Sequence, residues 1–190
     1  MVSKRKNKDY YAVIEGRINE PTIFSSWGDA HPRVTGCRSV HKSFDTIEEA
    51  REYMKKMGAT RPQEIIKDGA GDTTPTWNSE AFYAVANGTR PGVYLYWHGE
   101  DGSEPKIDKI PGACHKRFRT KDQAQAFIED WRQSVADVYR AAIKEALNKG
   151  FRPRDLKLNV EGFLYKTEIG GGSANILDEV KLDELNLKEE

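Results

Sequence analysis

Cysteine is scarce in this chain of 190 residues: Cys37 and Cys114 are the only two, far apart and without a CxxC or His-rich neighbourhood. That argues against a zinc site and a disulfide framework, and it makes a reducing compartment, cytoplasm or nucleus, the expected location. Net charge is absent as well. Lys plus Arg and Asp plus Glu number 30 each, so the whole molecule exerts no pull on a polyanion and any basic surface must be local. No long apolar run follows Lys4, Arg5, Lys6 and Lys8, so neither a signal peptide nor a membrane span is expected. Those lysines and arginine form a basic arm, either solvated or used for localisation or phosphate contact. A P-loop, a nucleophile elbow and an HExxH helix are all missing, and Asp178, Glu179, Asp183 and Glu184 form a tail pattern rather than a metal cage. No catalytic residue, metal or cofactor is expected, and the chain reads as a non-enzyme.

What is there is an internal repeat. Tyr11-Ala12-Val13 followed by Gly16 recurs as Tyr83-Ala84-Val85 followed by Gly88. Trp27 matches Trp97, and Lys42, Phe44, Thr46 and Ala50 match Lys116, Phe118, Thr120 and Ala124. The spacing drifts by a few residues, as loop-length changes within one shared fold would require. A hydrophobic content of 37% suits two small charged modules better than one large core.

Each copy predicts the same elements. Tyr- and Val-bearing strands cover 10–15 and 82–86, and a turn at Gly16-Arg17 or Gly88-Thr89 leads to second strands at 23–27 and 93–97, giving a hairpin. Third strands lie around 40–44 and 114–118. Thr46 with Glu49, and Thr120 with Gln123, are capping boxes that start a helix at the same place in both copies. The first helix stops at Gly58. The second keeps apolar residues at helical spacing from Ala124 to Leu147, so it needs a cover, either a hairpin formed by 156–169 or a dimer or protein contact. The expected organisation is a basic arm (1–9), a first module (10–58), a flexible linker (59–81), a second module (82–132), a helical extension with hairpin (133–170) and an acidic tail (171–190), either disordered or a weak partner-binding helix. The fold class is α+β.

The order of Tyr-Ala-Val, Gly-Arg, a strand ending in Trp, a basic-aromatic strand ending in Phe, then Thr and an Ala-containing helix resembles the N-terminal hybrid-binding domain of eukaryotic ribonucleases H, also found in caulimovirus viroplasmins. The resemblance covers about 10–57 and 82–131. It implies a three-stranded antiparallel sheet with short helices that docks on the minor groove of an RNA:DNA hybrid or double-stranded RNA, where a wide, shallow groove displays 2′-hydroxyls. By the same resemblance, Trp27 and Trp97 pack on the DNA strand, His41 and His115 stand where the family has Tyr or Phe, and Lys42 and the pair Lys116-Arg117 hold phosphates. Read from the residues alone, either Trp could instead belong to the core. Residues 106–120 carry five bases against Asp108, whereas 33–46 carry three against Asp45, so the second module is expected to bind more tightly. A ribonuclease H active site needs four carboxylates on a mixed sheet, and the residues after Gly150 are too few for it. The function expected is therefore non-catalytic duplex binding. A viroplasmin-type assembly factor is the alternative.

Overall fold

The computed structural model describes residues 8–76 and 79–152. The first module contains β1 (Tyr10–Glu15), β2 (Thr22–Phe24), α1 (Trp27–Val34), β3 (Val40–Phe44), α2 (Ile47–Lys56) and β4 (Gln63–Ile65). The second contains β5 (Phe82–Asn87), β6 (Gly92–Tyr94), β7 (Cys114–Phe118) and the 28-residue α3 (Lys121–Asn148). The α+β class and the two small sheets follow the sequence reading. Its proposed hairpin at 156–169 and its acidic tail lie outside the described residues, as does most of the basic arm.

The repeat persists in the pairing. β1 runs antiparallel to β2 and β3, and β5 runs antiparallel to β6 and β7, with a register shift at the same place in each copy, between Val13 and Glu15 and between Val85 and Asn87. Both threonine caps form, Thr46 Oγ1 accepting from Glu49 N–H and Thr120 Oγ1 from Gln123 N–H, each at 3.2 Å; the box closes in the second copy, where Gln123 Oε1 accepts from Thr120 N–H, whereas Glu49 accepts from Asp45 N–H. α2 ends in a Schellman motif. Gly58, at φ +87°, donates to Lys55 O, and Ala59 donates to Met54 O, with Ala59 packing beside Met54.

Three features depart from the sequence reading. The first sheet has four strands in the order β3-β1-β2-β4, because part of the segment read as a linker pairs in parallel with β2. The second strands are shorter than expected and end before the tryptophans. Trp27 opens a helix, α1, which gives the first module the two short helices that the resemblance implies but which was not placed from the residues, while Trp97 sits in a bend beyond β6. Gly28 and Pro32 lower the intrinsic helicity of the α1 segment, so packing sustains it.

α1 covers one face of the first sheet, burying Phe24, Ala30 and Val34 with Tyr11 and Val13, and α2 covers the other through Ala50 and Met54. α3 covers the Ala84 face of the second sheet through Ala124, Phe127 and Ile128. α1 also packs against α3, so the two modules share one compact unit. The approach is close: a β-carbon on Gly28 would lie 2.6 Å from the Phe127 carbonyl oxygen. Around it, Ser134 Oγ donates to Asp29 O at 2.8 Å and also bonds Arg33, and Trp131 Nε1 donates to His31 Nδ1 at 3.2 Å.

The segment between the modules is tied to both. Asp72 Oδ1 accepts from Arg119 at 2.7 Å, Thr73 O accepts from Arg119 N–H at 2.9 Å, and Lys67 reaches Asp130 at 3.0 Å.

Candidate nucleic-acid interface

Strand register decides which side chains share a face. Tyr83 pairs with Arg117 and Val85 with His115, so Tyr83, His115 and Arg117 project from the side of the second sheet opposite α3. Trp97 completes the group. Its ring lies 5.6 Å from Tyr83 and 5.4 Å from His115, and the Arg117 guanidinium stands 6.0 Å from the Tyr83 ring. These are distances for tilted aromatic contact and for cation–π attraction. His115 and Arg117 are exposed, and Trp97 is half-buried. α3 lies on the other side, and where the first module has α1, the second has a loop with one 3-10 turn, Glu104–Lys106; Val85 on this face is fully buried, which leaves His115 and Arg117 as its exposed part. The loop takes the place of α1. Arg17 N–H donates to Arg33 O at the end of α1, and Thr89 N–H donates to Lys106 O in the loop, both at 2.8 Å.

The equivalent group in the first module is turned inward. Trp27 lies 5.0 Å from Tyr11, 6.2 Å from His41 and 5.3 Å from His31, and it packs against the cores of both modules. His41 remains exposed. Lys42 is exposed on the opposite face of the sheet, with its Nζ over the rings of Phe44 and Tyr53 at 5.5 and 5.6 Å.

Lys116 also points away from the Trp97 group. Its Nζ lies 2.6 Å from Asp9 Oδ1 and over the Tyr11 ring, joining the second module to the start of the first. Thr73 Oγ1 donates to the same carboxylate oxygen at 2.7 Å. Of the seven residues singled out in the sequence, the structure gathers Trp97, His115 and Arg117 on one open face. Trp27 and His41 form a second group, and Lys42 and Lys116 belong to neither. Of the other bases counted in 106–120, Arg119 pairs with Asp72 and Lys106 donates to Glu100 O. Among the described residues no carboxylate pairs with Arg117.

Tyr83 is a member of the open group that the sequence reading used only as a repeat marker. Its strand register with Arg117 is the signal that would have found it. His31 was likewise passed over. Burial holds its pKa below the ordinary histidine value, opposed by a hydrogen bond with the Ala113 backbone, and His115 adds a smaller lowering effect. As Nδ1 accepts from Trp131, the neutral ring is the form that fits. Asp29, two residues before it, is pushed up to about 6 by burial and by Asp130, against Lys67 and Arg33.

The family model described as Ribonuclease H1 N-terminal domain matches residues 9–54 and 81–128. The chain thus carries two domains of this family in tandem. Over 47 residues, 25% of its length, it is 43% identical to Ribonuclease H1 of Mus musculus and of Rattus norvegicus and 40% identical to that of Homo sapiens. Each match covers 15% of the relative, so the alignment spans a small part of the curated proteins. No solved structure matches the chain. The domain family points to nucleic acid as the class of ligand. Among the described residues, no helix is long and apolar enough to cross a membrane, and no group of three or more metal-binding side chains occurs.

Proposed function

We propose that this protein binds an A-form-like duplex, an RNA:DNA hybrid or double-stranded RNA, without cleaving it, and that the open face of the second module carries the contact. The observation behind this reading is the Tyr83–Trp97–His115 group with Arg117 beside it, on the sheet face away from α3, where His115 and Arg117 are exposed. Aromatic rings give a flat, sequence-independent surface for sugars and bases, and a guanidinium supplies a phosphate contact. A shallow minor groove suits such a face because its 2′-hydroxyls are within reach of a compact module. The first module then has mainly a supporting part, since Trp27 is engaged in both cores.

The test is a titration of labelled hybrid, duplex RNA, duplex DNA and single strands over a salt series. Tighter binding to the first two, weakening steeply with salt, supports the proposal. Equal affinity for all four, or affinity indifferent to salt, counts against it. A protein-assembly role has one observation in its favour: the far half of α3 leaves Tyr139, Ile143 and Leu147 exposed. Concentration-dependent self-association without nucleic acid would support that reading.

A further inference from the structure

The repeat allows each module to be read as a template for the other, and one strand has no counterpart. In the first sheet the outer edge of β2 is filled by β4. Gln63 N–H donates to Pro21 O at 2.9 Å, Ser25 N–H donates to Ile65 O at 3.1 Å, and Ile65 packs against the core under α1. β6 is the counterpart of β2 in the same register against its neighbour, Tyr83 facing Tyr94 as Tyr11 faces Phe24. By that register, Pro91 C=O, the Val93 amide groups and Leu95 N–H point outward. β6 is nonetheless an edge strand, and among the described residues no backbone bond closes on Pro91 O or Leu95 N.

Free edges in folded proteins are commonly guarded by charge, proline or a bulge. Here Pro91 guards only the start of the strand, and the flank after it is apolar and aromatic. Leu95 is 60% exposed and Tyr96 66% exposed, where the sealed first module has Ser25 and Ser26. We infer that the β6 edge is a docking site for an extended segment of a partner protein, added as a fourth strand parallel to β6. The first module describes the chemistry of that occupant. Its three residues pair through the main chain, the third is apolar like Ile65, and Leu95 and Tyr96 anchor the flanking side chains. The middle residue need not be acidic: Glu64 of β4 makes a bidentate pair with Arg51, and Gln125 stands at the matching helix position in the second module.

The test uses the full chain and, as probe, a synthetic peptide of its own residues 60–67, which contains β4. Without peptide, the Leu95 amide exchanges with solvent at the rate of an exposed loop amide, whereas the Ser25 amide is protected. Peptide at millimolar concentration gives saturable shifts at Val93 and Leu95 and slows Leu95 exchange about tenfold, as expected for a site about nine-tenths filled. The same peptide carrying Ile65→Pro, which removes a ladder donor while leaving the protein untouched, gives neither effect. Three results overturn the proposal: no saturable shift, equal shifts with the proline peptide, or Leu95 already protected in the free chain. The last would mean that the edge is filled from within the chain or by a second copy.

Discussion

Lys116 Nζ lies 2.6 Å from Asp9 Oδ1, and the Asp9 side chain is almost wholly shielded from water. The lysine that resembles a phosphate ligand in the sequence therefore closes an ion pair across the module junction. Asp9 Oδ2 has no hydrogen-bond partner among the described residues, so the carboxylate depends on Lys116 and Thr73. Lys116→Ala should leave a buried charge uncompensated and destabilise the fold by about 3–5 kcal/mol. Lys42→Ala, at the equivalent but exposed position, should cost less than about 1 kcal/mol. Urea unfolding of both variants checks the contrast, which fails if they lose the same stability.

Gly28→Ala should loosen the junction. The added methyl group meets the Phe127 carbonyl, and overpacking of this kind costs about 1–3 kcal/mol. Reduced amide protection at Trp131 and Ser134, with β5 protection retained, would locate the damage at the α1–α3 contact. Unchanged stability and protection would show that the contact yields easily.

Asp29 makes the junction pH-sensitive. Its pKa is raised from 3.8 to about 6 by burial, so between those values the folded state binds more protons than the unfolded one. This group's contribution to stability is thus greatest at low pH and declines as pH rises through about 6. Relative to Asp29→Asn, the native chain should lose up to about 3 kcal/mol between pH 4 and pH 7, the linkage equivalent of the shift. His31 acts in the opposite direction. Its pKa is lowered by burial, so its contribution is complete above the unfolded value of 6.5 and is lost as pH falls towards the depressed folded value. Urea midpoints across pH 4–8 for the native chain, Asp29→Asn and His31→Gln separate the two slopes. A pH profile unchanged by Asp29→Asn would contradict the assignment.

Arg117 carries the electrostatic part of the proposed interface. Arg117→Ala should lower the slope of log affinity against log salt by about 1 on a hybrid, because one phosphate contact is lost. Its guanidinium is exposed beside Tyr83, so stability should change by less than about 0.5 kcal/mol. An unaltered slope would place the phosphate contacts elsewhere.

The parts of this fold that could be read from sequence are those set by local chemistry. Thr46 with Glu49 and Thr120 with Gln123 fixed two helix starts, and Gly58 fixed an end. The positions of β5 and β7 were legible in Tyr83-Ala84-Val85 and His115-Lys116-Arg117, whereas their register against each other comes from the structure. α1 was hidden because Trp27–Val34 contains Gly28 and Pro32 and draws its stability from sandwiching between the first sheet and α3. β4 was hidden behind Pro62, with a charged Glu64 in a segment rich in turn residues. The diversion of Lys116 depends on Asp9, more than a hundred residues earlier, and such a pairing leaves no periodic trace in the sequence.

The most direct test of the account is the affinity of Trp97→Ala for an RNA:DNA hybrid, measured by fluorescence anisotropy beside the native chain, with the urea midpoint of each recorded. Trp97 is half-buried beside Tyr83 and the exposed His115, so the account predicts a folded variant that binds more weakly by about 1–3 kcal/mol, roughly 5- to 150-fold. Hybrid affinity unchanged in a variant with a native midpoint would contradict it.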